Sequence, residues 1–148
     1  MTPIESFAAY FRAFEATYRD DEWSRLERLF TPDAVYHVVG SELFDCSLRG
    51  RDAILAGLRK FVDGFDRKCE RRLEAIEAPV AGATGVRFRG TAWYRRGASP
   101  EFGIELEEQI EFVDGQIVRM IDIYAPGLAA RAAGWMERWG ADLELSYG

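Results

Sequence analysis

Apolar side chains recur three and four residues apart at Ile4, Phe7, Phe11, Phe14 and Tyr18. That spacing puts them on one face of an amphipathic helix. The preceding "TPIE" is a capping box, with Thr2 as N-cap, Pro3 at the first helical position and Glu5 reaching back. "RDDEW" interrupts the pattern, and Trp23, Leu26, Leu29 and Phe30 predict a short second helix. "TPD" ends it and opens a strand from Ala34 to Val39. The turn-rich segment Gly40–Gly50 leaves room for a short strand around Phe44. A third helix is predicted from about Arg51 to Phe65, buried through Ile54, Leu58, Phe61, Val62 and Phe65.

The period then changes from 3.6 to two. Strands are predicted at 68–78, 85–96, 101–113 and 116–125, separated by Pro79, "GATG", "GASP" and "DG". Pro126 opens a last helix with the stripe Leu128, Ala132, Trp135, Met136 and Trp139. Helices first and antiparallel strands afterwards define an α+β fold. A chain of 148 residues suggests one domain, large enough to bury a core without disulfide or metal staples.

Two positions break the strand pattern. In 101–113, Glu108 shares a face with Phe102, Ile104, Leu106, Ile110 and Phe112. That face is core, so burial should raise the carboxyl's pKa. In 116–125, Asp122 shares a face with Val118, Met120 and Tyr124. Whether both acids point the same way depends on the turn. A two-residue Asp114-Gly115 turn pairs Glu108 with Ile121 and sends Asp122 to the other face. A three-residue Val113-Asp114-Gly115 loop pairs Glu108 with Met120 and Asp122 with Leu106, on one face.

Charge narrows the field. The net charge is −6, and no basic stripe suited to nucleic acid stands out. No run approaches the roughly 18 apolar residues of a membrane helix. "MTPIESF" does not resemble a signal peptide. Cys46 and Cys69 form neither a zinc signature nor a disulfide framework and fit a reducing compartment. The cytoplasm is the expected location. The acids lack metal-ligand spacing, and no His pair exists, so neither metal nor cofactor is expected.

The order "LFTPDAVYHVVG", "LRGRDAI" and "FVDGQIVRMIDIYAPG" resembles the nuclear transport factor 2-like superfamily, and within it the SnoaL-like polyketide cyclases. The resemblance spans about Phe7 to Gly127. It implies a cone in which a curved, mostly antiparallel sheet wraps helices around one deep pocket. It also implies a pocket ligand of polyketide, terpenoid or steroid type, and a homodimer.

The resemblance implies roles for particular residues. The last-strand acid of the cyclases and of limonene-epoxide hydrolases maps onto Asp122. The oxyanion-hole acid of ketosteroid isomerases maps onto Glu108. Tyr36 matches the pocket tyrosine of the epoxide hydrolases, whose neighbouring asparagine position holds Val38 here. Arg89 matches their bridging arginine, but their second acid falls at Thr91. Local alternation instead puts Arg87, Arg89 and Arg95 on an outer face opposite Glu105, Gln109 and Glu111. Ketosteroid isomerase fits less well: its tyrosine position holds Phe14, and its base position holds Val38 or His37.

The expected enzyme uses Asp122 as general acid/base and Glu108 as hydrogen-bond donor, with Arg89 as a third candidate. Tyr18, Tyr36, His37, Val38, Met120 and Tyr124 would contact substrate, with Trp23 near the mouth. Isomerisation or cyclisation leads, epoxide hydrolysis follows, and a non-catalytic module for ligand binding or dimerisation is the contrasting class.

Overall fold

The computed structural model describes residues 1–148. Helix α1 (Pro3–Asp20) begins with the full capping box: Glu5 N–H donates to Thr2 Oγ1, and Thr2 N–H donates to Glu5 Oε2. Its buried stripe runs through Phe7, Tyr10 and Thr17, while Ile4 and Phe11 stay exposed. The expected stripe is thus rotated, because the helix turns Tyr10 toward the sheet and leaves Phe11 at a rim. Helix α2 is a single turn (Ser24–Glu27), and Phe30 already belongs to the first strand.

Strand β1 (Phe30–Val39) and strand β2 (Cys46–Arg49) precede α3 (Arg51–Gly64). The short strand follows Phe44 rather than containing it; Phe44 is buried in the core. The predicted face of α3 is buried throughout. A 3₁₀ turn (Asp66–Lys68) leads into β3 (Glu70–Ala81), β4 (Gly85–Arg95), β5 (Phe102–Val113) and β6 (Gln116–Tyr124). Pro79 lies within β3 instead of ending it. The strand is the sheet's edge and slips register between Glu77 and Val80, so a missing N–H there costs no ladder bond.

The six strands form one curved sheet in the order β2-β1-β6-β5-β4-β3. It is mixed: β1 runs parallel to β6, and every other neighbouring pair is antiparallel. Helices α1 and α3 pack on its inner side. Helix α4 (Leu128–Trp139) follows, buried through Leu128, Ala132 and Trp135. No helix is long and apolar enough to cross a membrane.

Beyond α4 the chain turns back along α3, an arrangement the sequence pattern did not predict. Glu144 N–H donates to Gly64 O at 2.9 Å. A Cβ at Gly64 would lie 2.9 Å from Glu144 O, and one at Gly57 would lie 3.0 Å from Tyr147 O. Two glycines on one helix therefore admit the tail, which buries Tyr147 among Phe44, Phe61 and Tyr36.

Candidate functional site

The turn between β5 and β6 decides where the acids point. Val113 pairs with Gln116, so the turn holds only Asp114 and Gly115, both at positive φ (51° and 78°). That is the twist a tight hairpin prefers. Left alone, this register would send Asp122 outward. The register slips next, because Phe112 pairs with Ile117 but Glu111 pairs with Arg119. Val118 is the extra residue of a β-bulge. Glu108 consequently stands directly opposite Asp122. Neither sequence-derived pairing occurs: the turn is the short one, and the bulge restores the shared face.

That face lines a cavity of ≈ 580 Å³ between the sheet, α1 and α3. Its apolar wall includes Phe14, Leu58, Phe61, Val62, Phe88, Ala92 and Leu106, and its rim includes the exposed Phe11 and Leu73. Glu108, Asp122, Tyr36, Tyr124 and Tyr147 form one polar end. The Tyr36 hydroxyl donates to Asp122 Oδ2 at 2.5 Å. The Tyr147 hydroxyl lies 3.3 Å from both the Tyr36 and the Tyr124 hydroxyls. Since the single Tyr36 proton goes to Asp122, Tyr147 must donate to Tyr36, and Tyr124 to Tyr147. All the hydroxyl dipoles then point toward Asp122.

Burial pushes both carboxyls upward. Glu108 rises further, because the Asp122 charge opposite it adds to the cost of ionisation. A proton shared with Glu108 and the Tyr36 hydrogen bond hold Asp122 back. Asp122 is therefore the carboxylate of the pair and Glu108 the carboxylic acid. Asp122 Oδ1 accepts from no neighbour within hydrogen-bond range, and the Glu108 carboxyl opposite is the group placed to turn a proton toward it. Two carboxyls face to face inside one cavity hold one proton between them.

A second polar end was not anticipated. Asp66, in the 3₁₀ turn, is buried, and its Oδ1 accepts from the Tyr94 hydroxyl at 2.8 Å. Arg71 of β3 lies directly across from Tyr94 of β4. Its guanidinium stacks 4.0 Å from the Tyr18 ring and binds Glu15 at 2.8 Å. Burial pushes Asp66 up to about 6, against the opposing pull of Arg71 and the Tyr94 hydrogen bond. Glu15, Asp66, Arg71 and Tyr94 all line the same cavity. The signal in the sequence was slight: Arg71 falls on the same face of an alternating strand as Leu73 and Ala75.

The remaining candidates lie elsewhere. Arg89 pairs with Glu105 at 3.0 Å on the outer face, because the inner face of β4 is taken by Phe88, Gly90, Ala92 and Tyr94. Arg87 joins Glu77 and Glu107 there, Arg95 joins Glu70, and Arg119 joins Glu111. His37 also points outward, with Nδ1 2.8 Å from Ser47 Oγ. Val38 and Met120 are on the inner side but sunk in the core beneath the cavity. Trp23 donates to Asp21 and packs edge-on against Phe14, away from the cavity lining. Tyr18 donates to the Asp66 carbonyl oxygen and supports Arg71 from behind. No three His, Cys, Asp or Glu side chains gather as a metal-ligand set.

A curved sheet folded around helices, with polar groups deep inside one cavity, defines the nuclear transport factor 2-like class. The chain belongs to its SnoaL-like domain family, whose model matches residues 7–120. Solved structures show the same fold at low identity. A protein from Rhodopseudomonas palustris, provisionally assigned as an isomerase, is 16% identical with a TM-score of 0.72, covering 87% of this chain and 96% of its own. An LEH-like epoxide hydrolase from M. tuberculosis is 18% identical with a TM-score of 0.60, covering 90% and 96%. A protein with a ketosteroid isomerase-like fold from Catenulispora acidiphila, solved with trimethylamine, is 16% identical with a TM-score of 0.57, covering 84% and 88%. No protein of curated function matches this chain.

Proposed function

We propose that the protein is an enzyme that isomerises or cyclises a small, largely apolar molecule by acid–base catalysis at the Glu108–Asp122 pair. One observation carries this: the two carboxyls face each other at one end of a largely apolar cavity, with Tyr36 fixing Asp122. Two acids facing each other inside a cavity with no cation between them cost stability.

Asp122 takes a proton from a carbon next to a substrate carbonyl, and the C–H electron pair moves into the carbonyl to form an enolate. As Asp122 takes up the substrate proton, Glu108 turns its own proton from Asp122 to the developing oxyanion. In isomerisation, Asp122 returns the proton to a different carbon. In cyclisation, the enolate carbon attacks a second carbonyl carbon, and the new alkoxide takes the proton from Asp122. Each route regenerates the starting carboxylate. A buried base whose pKa is raised toward neutrality suits either step.

Epoxide hydrolysis draws little support, because Arg89 sits outside with Glu105. Solvent oxygen labelled with ¹⁸O appearing in product would reinstate it. The outer Arg and Glu ladder is the face we propose for a homodimer, to be checked by sedimentation at low and high salt.

The test is a screen of polyketide, terpenoid and steroid-like ketones, run with wild type and Asp122→Asn. Turnover by the wild type alone supports the proposal. Binding without turnover in both forms would make the protein a ligand-binding module.

A further inference from the structure

Arg71 and Asp66 make an unusual pair. Both are buried, both line the cavity, and each feels the other's charge. Opposite charges so placed ordinarily collapse into direct contact. These do not: Arg71 forms its only ion pair with Glu15, and the Asp66 carboxyl accepts only from Tyr94. The Arg71 side chain is only 5% exposed, and of its N–H groups only those of Nη2 have an acceptor, Glu15. Its position is braced from both sides by the Tyr18 ring and Glu15, and Tyr94 braces Asp66. Guanidinium N–H groups without an acceptor and an Asp66 carboxyl with spare capacity are thus held apart on one cavity wall.

We infer that Asp66 and Arg71 receive the hydroxyl end of a phenol- or enol-bearing substrate, away from the Glu108–Asp122 pair. A hydroxyl is the group that satisfies both at once, donating to the Asp66 carboxylate and accepting from the Arg71 guanidinium. A carboxylate or phosphate would meet Glu15 and Asp66 as like charges. An ammonium would meet Arg71. At neutral pH, Asp66 is chiefly ionised and so an acceptor. The apolar wall between the two ends fits a ring or fused rings, with the reacting carbonyl at Asp122 and the hydroxyl at Asp66. The assignment deepens the proposed function and rests on the cavity being its substrate site.

The test uses the full chain and two probes of one shape, 2-naphthol and 2-methylnaphthalene, titrated by fluorescence at neutral pH. The wild type should bind the naphthol about tenfold more tightly, as a charge-assisted hydrogen bond implies. Asp66→Leu should erase that preference, and Asp122→Asn should keep it. Equal affinities in the wild type, or no naphthol binding at all, would overturn the inference. So would a preference that survives Asp66→Leu and disappears in Asp122→Asn. Should Asp66→Leu not fold, crystals of the wild type with 2-naphthol decide: the oxygen between Asp66 and Arg71 supports the assignment, and the oxygen at Asp122 overturns it. Neither arm depends on turnover, so a failed Asp122 activity test and a failed hydroxyl preference are separate results.

Discussion

Tyr36 donates its hydroxyl proton to Asp122 at 2.5 Å, across a pair of strands that run parallel. That bond joins β1 to β6 inside the cavity and helps fix which acid of the pair stays ionised. Tyr36→Phe therefore raises the Asp122 pKa. The acid limb of the pH–rate profile should move to higher pH, and activity below neutrality should fall the most. The profile of kcat/KM for wild type and variant measures the shift. An unmoved limb would mean that Tyr36 does not tune Asp122.

Asp66 makes the stability of the folded state depend on pH. Its carboxyl rises from 3.8 unfolded to about 6 folded. The folded state therefore holds the proton more tightly, and stability is greatest below the unfolded value. Stability falls as pH rises from about 4 through 6, by at most about 3 kcal/mol for this group. Urea unfolding at intervals from pH 4 to 7 should show the decline, and Asp66→Asn should make it shallower, leaving the part due to Glu108 and Asp122.

Arg89→Ala should leave turnover unchanged. The residue exchanges one half-exposed outer-face pair, with Glu105, for solvent. Such pairs contribute no more than about 1 kcal/mol. A large loss in kcat without a loss of fold would show that Arg89 reaches the cavity during the reaction.

Gly64→Ala should loosen the tail. Its Cβ would press within 2.9 Å of the Glu144 carbonyl, and backbone there cannot swing aside as a side chain can. Overpacking of this kind costs roughly 1–3 kcal/mol. Faster carboxypeptidase trimming of the last residues, together with lower activity from displaced Tyr147, is the expected result.

Most of the architecture was legible because it rests on periodicity. The capping box at Thr2 and Glu5, the α3 face and the switch to period-two strands all follow from local pattern. So did the oddity of Glu108 and Asp122, since a carboxyl on an apolar face stands out. What was not legible depends on distant contacts. Asp66 looks like an ordinary turn residue until β4 brings Tyr94 to it. Tyr147 looks like part of a polar tail until Gly57 and Gly64 let that tail lie against α3. Arg89 and Arg71 have similar local settings, and only their strand faces send one outward and the other inward. Ile4 and Phe11 fit a helical stripe, yet the sheet selected Tyr10.

The extra residue at Val118 makes the position of Asp122 a matter of counting. Strand side chains alternate, so each unmatched residue in the hairpin reverses the parity of everything after it. Removing one residue between Gly115 and Asp122 would turn the carboxylate toward the arginines of the outer face without altering either acid. Removing two would return it to the cavity at a different depth. Among proteins of this shape, the presence of an aspartate on the last strand is therefore weaker evidence of chemistry than an aspartate at the right arithmetic distance from its turn.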